Sequence, residues 1–237
     1  MKRNRDIKRD ASMALSGHWG WAILPCLIAG GIALVLATPG ILSSASTGAL
    51  DYVSDPSLII GILAGSMLTT SISALGNLFG INPLTVGLLN SIKLLFKNTD
   101  TNTVSNMFKL GFGKGHYWRN VLGAFLVGLF TFLWTLLFIV PGIIKSYAYA
   151  MTPYILDDNP ELGPNEARLK SIEIMRGHKG KLFGLDLSFI GWFLLGILSL
   201  GIGFIWIEPY FYTARASFYR NLKEELEQKA APATPAE

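Results

Sequence analysis

Uncharged apolar runs, each closed by glycine, proline or a cluster of charges, organise this chain. The first, WAILPCLIAGGIALVLATPGIL, extends from Trp21 to Leu42. At 1.5 Å per helical residue it is long enough to cross a hydrocarbon core of about 30 Å. It exceeds the roughly 7–15 apolar residues of a cleaved signal peptide and further runs follow it, so it reads as a retained span. Pro25 stands where a small residue would precede a lipidated cysteine, so Cys26 reads as a buried thiol. A second span runs from Ser57 to Phe79, and no charge occurs between Asp55 and Lys93. Gly80, Asn82 and Pro83 are expected to break it. The piece beyond, PLTVGLLNSIKLLF, gathers Asn90, Lys93 and Lys97 opposite a leucine face, which predicts an amphipathic helix at the interface or a short re-entrant element. The polar stretch from Lys97 to Arg119 is expected to be a loop.

Two 37-residue segments follow, Asn120 to Leu156 with Pro141-Gly142 in its middle and Gly184 to Arg220 with Gly201-Ile202-Gly203 in its middle. Each is either one crossing with an interfacial extension or a tight hairpin of two crossings. Basic residues are retained on the cytoplasmic side, and this separates the two readings. Single crossings place Lys145, Arg168, Lys170, Arg176, Lys179 and Lys181 outside; hairpins leave only Lys145 of the 20 basic residues near the outer side. The loop from Ser43 to Pro56, which carries Asp51 and Asp55 and no Lys or Arg, is outside in both. The expectation is therefore an all-α polytopic membrane bundle of six spans in helical hairpins, with both termini cytoplasmic. Lys2, Lys97, Arg176 and Lys223 should face the cytoplasm and Asp51 the outside. Residues 1–228 form one integral-membrane domain, and the Pro/Ala-rich tail 229–237 is expected to be disordered. The two hairpins also resemble each other, each running from a tryptophan (Trp134, Trp192) through a breaker to a Pro-Tyr pair (Pro153-Tyr154, Pro209-Tyr210). A repeat and aromatic belting at the interface account for this equally well.

Composition agrees with the pattern. Charged residues make up 15% of the 237, against about 25% in a soluble domain, and mean hydropathy is positive at +0.41. An ordinary soluble enzyme and a disulfide framework are both excluded, the latter because Cys26 is the single cysteine. The net charge of +4 matters less than where the charges sit.

Candidate chemistry is sparse. In the second span Gly61, Gly65, Thr69, Ser73 and Asn77 step by four residues, and Gly76 and Gly80 form a GxxxG, so this helix is expected to pack closely against another span. The segment after Pro164 predicts a cytosolic connector helix. Glu166 and Lys170 should pair on it, Leu169, Ile172 and Met175 should share a face, and Gly177 should stop it. His18, His116 and His178 are isolated and none has a second ligand at metal spacing, so no metal, cofactor or catalytic residue is expected. GFGKG from Gly111 lacks the preceding strand and the following Ser/Thr of a phosphate loop. Lys145 and Glu208 lie at similar distances beyond the two breakers, which predicts an ion pair inside the membrane.

Three stretches, PGIIKSYAYAMTPYILDDNP, MRGHKGKLFGLDLSFIGW and GIGFIWIEPYFYTARASFYRNL, together resemble a bacterial family known as domain of unknown function 975. The likeness covers about Met107 to Leu222. The first Asp of DDNP departs from the small residue expected there. The PGI…PYIL…EA…S stretch is also similar to the membrane domain of some glycerophosphodiester phosphodiesterases, which is not their catalytic domain. The resemblance implies an integral membrane protein and supplies no activity. The resulting expectation is a non-enzymatic protein of the cytoplasmic membrane, an accessory or lipid-contacting envelope component. Its expected contacts are membrane lipid and a membrane-protein partner, not nucleic acid. A transporter or channel subunit using the Lys145/Glu208 region is the alternative.

Overall fold

The computed structural model describes residues 2–48, 55–96 and 102–230; Asp51, Lys97 and tail residues 231–237 lie outside them. Among the described residues every regular element is helical: α1 (Asn4–Leu15), α2 (Trp19–Gly48), α3 (Pro56–Gly76), a π-helical turn (Asn77–Ile81), α4 (Asn82–Phe96), α5 (Thr103–Phe112), α6 (Tyr117–Leu137), α7 (Ile139–Tyr149), α8 (Thr152–Asp158), α9 (Pro164–Ile174), α10 (Lys179–Leu187), α11 (Ile190–Leu198) and α12 (Phe204–Ala230). Among the described residues four stretches are long and apolar enough to cross a membrane: Trp19–Ile41, Pro56–Phe96, Tyr117–Leu137 and Lys179–Leu198. The chain has the build of an all-α membrane protein.

Both 37-residue segments fold back on themselves. In the first the chain reverses at Phe138, whose extended backbone separates α6 from α7. A Cβ on Gly142 would meet Thr135, and one on Gly123 would meet Leu156. At the far end Arg119 donates from Nη2 to the carbonyls of Leu156, Asn159 and Leu162 at 2.9, 3.0 and 3.1 Å. The return arm α7–α8 therefore runs the length of α6, and a guanidinium caps the exposed carbonyls at its end. The second reversal is at Leu200 (φ 55°) and Gly201 (φ 91°). From there Gly196 meets Ile207, Phe193 packs on Phe211 with centroids 5.5 Å apart, and His178 Nε2 lies 3.4 Å from Glu225 Oε1. The reversal in the first hairpin comes three residues before the expected Pro141. A proline is tolerated in the first turn of a helix, so Pro141 starts α7 rather than ending α6.

The prolines inside the long helices show how local chemistry sustains these elements. A proline cannot donate to the carbonyl four residues back, and in an apolar setting an orphaned carbonyl is costly. Pro25 frees the Trp21 carbonyl, which accepts the Thr103 hydroxyl from α5. Pro39 frees that of Val35, which accepts from Thr38 Oγ1 at 2.7 Å. Pro83 frees that of Phe79, which accepts from Tyr117 Oη at 3.0 Å. The expected break at Gly80–Pro83 is accordingly a π turn, a one-residue accommodation that keeps α3 and α4 in one continuous 41-residue rod.

Three further expectations are corrected. The helix α4 has no exposed polar face: Leu84, Val86, Leu88, Asn90, Ile92 and Lys93 are all buried. Much of the stretch expected as a loop is α5, which crosses α4 where two glycines meet. A Cβ on Gly87 would lie 2.8 Å from Gly111 N, and one on Gly111 would lie 2.7 Å from the Pro83 carbonyl oxygen. Lys229, placed in the tail by its composition, is the penultimate residue of α12 and pairs with Glu225 at 2.8 Å. The connector helix α9 starts at Pro164 as expected, and Glu166 Oε2 accepts from Gly163 N at 2.8 Å. Lys170 donates to Asn159 Oδ1 at 3.1 Å rather than pairing with Glu166. Its buried face is Ala167, Arg168, Ser171 and Met175; Leu169 is exposed.

The core gathers at one end of the bundle. Ile7, Met151, Tyr154, Phe189, Phe218 and Leu222, from α1, α8, α12 and the start of the second hairpin, are fully or almost fully buried there. At the reversal end Leu136, Phe138, Ile139, Leu198 and Leu200 are all more than 60% exposed.

Candidate functional site

Two polar constellations stand out. The first is at the core end. Lys93, 4% exposed, sends its ammonium from α4 to Asp157 and to Asp158, the latter at 2.8 Å. Asp158 also accepts from Tyr219 Oη at 3.0 Å and Lys223 Nζ at 3.2 Å, both on α12. Burial opposes ionisation of Asp158, but the hydrogen bonds and charges of Lys93 and Lys223 prevail and hold its pKa at about 2. A carboxylate held this firmly ionised is a poor proton carrier and a good clamp, here joining α4, α8 and α12. Tyr154, stacked on Tyr219 at 5.1 Å, seals it from the core side. The first Asp of DDNP, an apparent departure with no consequence, is thus a direct partner of Lys93.

The second lies further along the bundle. Arg215 of α12 makes a two-pronged ion pair with Asp186 of α10, Nη2 to Oδ2 at 2.5 Å and Nε to Oδ1 at 3.2 Å. Arg215 also lines one side of a cavity of about 360 Å³ bounded by α4, α6, α7 and α8. Such a volume falls at the small end of ligand sites. The lining is mostly apolar, with Asn82, Thr85, Ser146, Tyr149 and Thr152 as the other residues that carry polar side-chain groups. The hydroxyls of Thr85, Ser146 and Thr152 donate to carbonyls three or four residues back, those of Ile81, Ile143 and Tyr149. Neither the Asn82 amide nor Nη1 of Arg215 has a hydrogen-bond partner among the described residues.

The residues singled out from the sequence are dispersed. No ion pair joins Lys145 and Glu208 among the described residues. The Lys145 ammonium sits over the Trp134 ring of its own hairpin, 4.5 Å from the centroid. Glu208 is close enough to Cys26 to act on it electrostatically. The hairpins meet through α7 and α10, where Tyr147 packs edge-on to Phe183 at 5.7 Å, so similar depth does not bring the two charges together. The small residues of the second span fall into two groups. Gly76 and Gly80 lie against Leu36 of α2, and Ser73 lies against Gly40; Gly61 and Gly65 face open space. A four-residue step advances about 400° and so drifts about 40° per step around a helix. Counted from Ser73, Thr69 is still near the contact face and Gly65 and Gly61 have rotated off it. The contact continues instead through Ser66, seven residues back and buried.

Sequence reasoning missed Lys93, Asp157, Asp158 and Arg215 as partners. A signal existed for the first three: a lone lysine in an apolar helix needs a carboxylate, and DDNP is the one acidic pair between the hairpins.

The comparisons do not show the likeness to the membrane domain of glycerophosphodiester phosphodiesterases. No match was found among curated proteins or among solved structures. A family model described as "Protein of unknown function (DUF975)" does match residues 136–226. That stretch begins at the first reversal and contains Asp157, Asp158, Asp186, Arg215 and Lys223, so from the return arm of the first hairpin through the second hairpin the chain resembles the DUF975 family.

Proposed function

We propose that this protein is a six-span component of the cytoplasmic membrane with both termini in the cytoplasm, a non-enzymatic, lipid-contacting accessory protein of the cell envelope. One observation carries the reading: charge and apolar exposure are segregated along the bundle. The ion pairs Lys2–Asp10, Lys93–Asp158 and Lys223–Asp158 belong to the core end, where Arg119 and His178 also sit at the mouths of the two hairpins. Both reversals are apolar and exposed. Lipid is the solvent that suits the exposed ends, and anionic headgroups suit the basic mouths. Arms as short as α7–α8 span because their carbonyls are capped by Arg119 rather than by water.

The test is membrane fractionation with alkaline extraction, followed by cysteine labelling of whole cells in a Cys26→Ala background. Retention in the pellet, with position 176 labelled only after permeabilisation, is expected. External labelling at 176 would replace six spans with four.

The transporter or channel alternative no longer has a Lys145/Glu208 pair to rest on. What favours it is that the cavity unites side chains from both hairpins. Flux of an anion into proteoliposomes, abolished by Arg215→Gln, would make it the better reading.

A further inference from the structure

We propose that the cavity beside Arg215 is a binding site for a single acyl amphiphile, a membrane lipid or fatty acid whose anionic oxygens accept hydrogen bonds from Asn82 and Arg215. The proposal rests on the membrane reading above and adds the ligand and its site. Three observations lead to it. The cavity opens at Gly128, an exposed glycine of α6 where an added Cβ would meet nothing within 4 Å, so it is reached from the apolar flank of the bundle. Its walls are mainly apolar, Val86, Leu89, Val127 and Leu156 among them, and suit an alkyl chain. Its polar groups are the reverse of what an all-hydrocarbon guest would leave satisfied: the Thr85, Ser146 and Thr152 hydroxyls are engaged, and the Asn82 amide and Arg215 Nη1 are donors in want of an acceptor. Unsatisfied donors in an apolar wall are costly, and a ligand that brings acceptor oxygens together with a chain removes that cost.

Position agrees with this chemistry. Arg215 lies eight residues before Lys223 on α12, about 12 Å along the axis from the charged end. This is within the leaflet on the charged side and well short of the opposite reversals. Asp186 neutralises the guanidinium and holds Arg215 in place. The remaining donor supplies recognition of an oxyanion without an unpaired buried charge.

The experiment uses the full chain in detergent, with cis-parinaric acid as a fluorescent fatty-acid probe, and in nanodiscs of phosphatidylcholine doped with phosphatidylglycerol, with bound lipid read by native mass spectrometry. Two variants leave the Arg215–Asp186 pair intact. Gly128→Leu fills the mouth, and Asn82→Leu removes one donor. Saturable binding is expected, at least tenfold weaker in Gly128→Leu and severalfold weaker in Asn82→Leu, with thermal midpoints near wild type. The fatty-acid and phosphatidylglycerol arms identify which amphiphile is held. Undiminished binding in both variants, or signal that merely follows bulk partitioning, overturns the site. Alkaline extraction run on the same preparations separates the two ideas: membrane-retained protein with unchanged binding refutes the amphiphile site alone, whereas extractable protein refutes the membrane reading.

Discussion

Replacing Gly87 with alanine adds one methyl group at the tightest point of the molecule. The new Cβ would fall inside van der Waals contact of the Met107 carbonyl oxygen and stand 2.8 and 3.0 Å from the amide nitrogen and Cα of Gly111. All three obstacles are backbone, so no side chain can swing aside and α4 and α5 must separate. Separation loosens the cluster of Leu84, Leu88, Ile92 and Met107 beneath the crossing. Overpacking of a core by a methylene or two costs about 1–3 kcal/mol, and rigid obstacles put this case at about 3. For a chain of this size, that is a fall of about 6–12 °C in thermal midpoint. The assay is thermal unfolding in one detergent, followed by size-exclusion fluorescence. The matched control is Gly65→Leu, a far larger addition at a glycine that faces open space, which should leave the midpoint unchanged. A wild-type midpoint for Gly87→Ala, or a larger loss in Gly65→Leu, would refute the placement of the crossing.

Other expectations follow from the same contacts. Thr103→Val leaves the Trp21 carbonyl freed by Pro25 without a donor and should cost about 1–3 kcal/mol in the same unfolding assay; a neutral result would show that water reaches it. Lys93→Met strands two carboxylates and should reduce folded yield more than Lys93→Met combined with Asp158→Asn; equal or worse yield in the double variant would exclude the clamp. Because Asp158 has its folded pKa depressed to about 2 from 3.8, its contribution to stability is present in full above about pH 4 and is lost as pH falls towards 2. Asp158→Asn should flatten stability across that window, measured by denaturation at stepped pH. Lys145→Met and Glu208→Gln, having no shared contact, should add within about 0.5 kcal/mol; clear rescue in the double variant would restore the pair.

The hairpins were legible because their signal is local. An apolar run, a breaker and a second apolar run leave few ways to bury or solvate the backbone, and the reversals at Phe138 and Gly201 fall close to where Pro141 and Gly201 suggest. The start at Pro164 is local in the same way, and Gly177 (φ 80°) lies in the turn just beyond the end of α9 at Ile174. What escaped depends on partners distant in sequence. Asn90 and Lys93 look solvent-facing on a helical wheel, yet they are buried, because Lys93 finds its carboxylates 64 and 65 residues later and Asn90 Nδ2 donates to the Pro153 carbonyl at 3.3 Å. The α5 segment lies within a stretch rich in polar residues and glycine, and it packs as a helix at the glycine crossing that receives it. The small-residue stripe misled for a geometric reason: a step of four does not stay on one side of a helix with 3.6 residues per turn.

The clamp also imposes an order on how the chain can be made. Lys93 is synthesised long before Asp157, and at about 5–20 residues per second the intervening 64 residues occupy the ribosome for about 3–13 s. During that interval α4 carries an ammonium with no counter-charge, and α5 is already available to cross it at Gly87. The first half of the molecule must therefore wait, water or headgroups at its lysine, for the DDNP corner to arrive, and α12 with Lys223 closes the joint last. A nascent chain arrested before residue 157 should remain sensitive to protease at α4, while one extended past residue 223 should not.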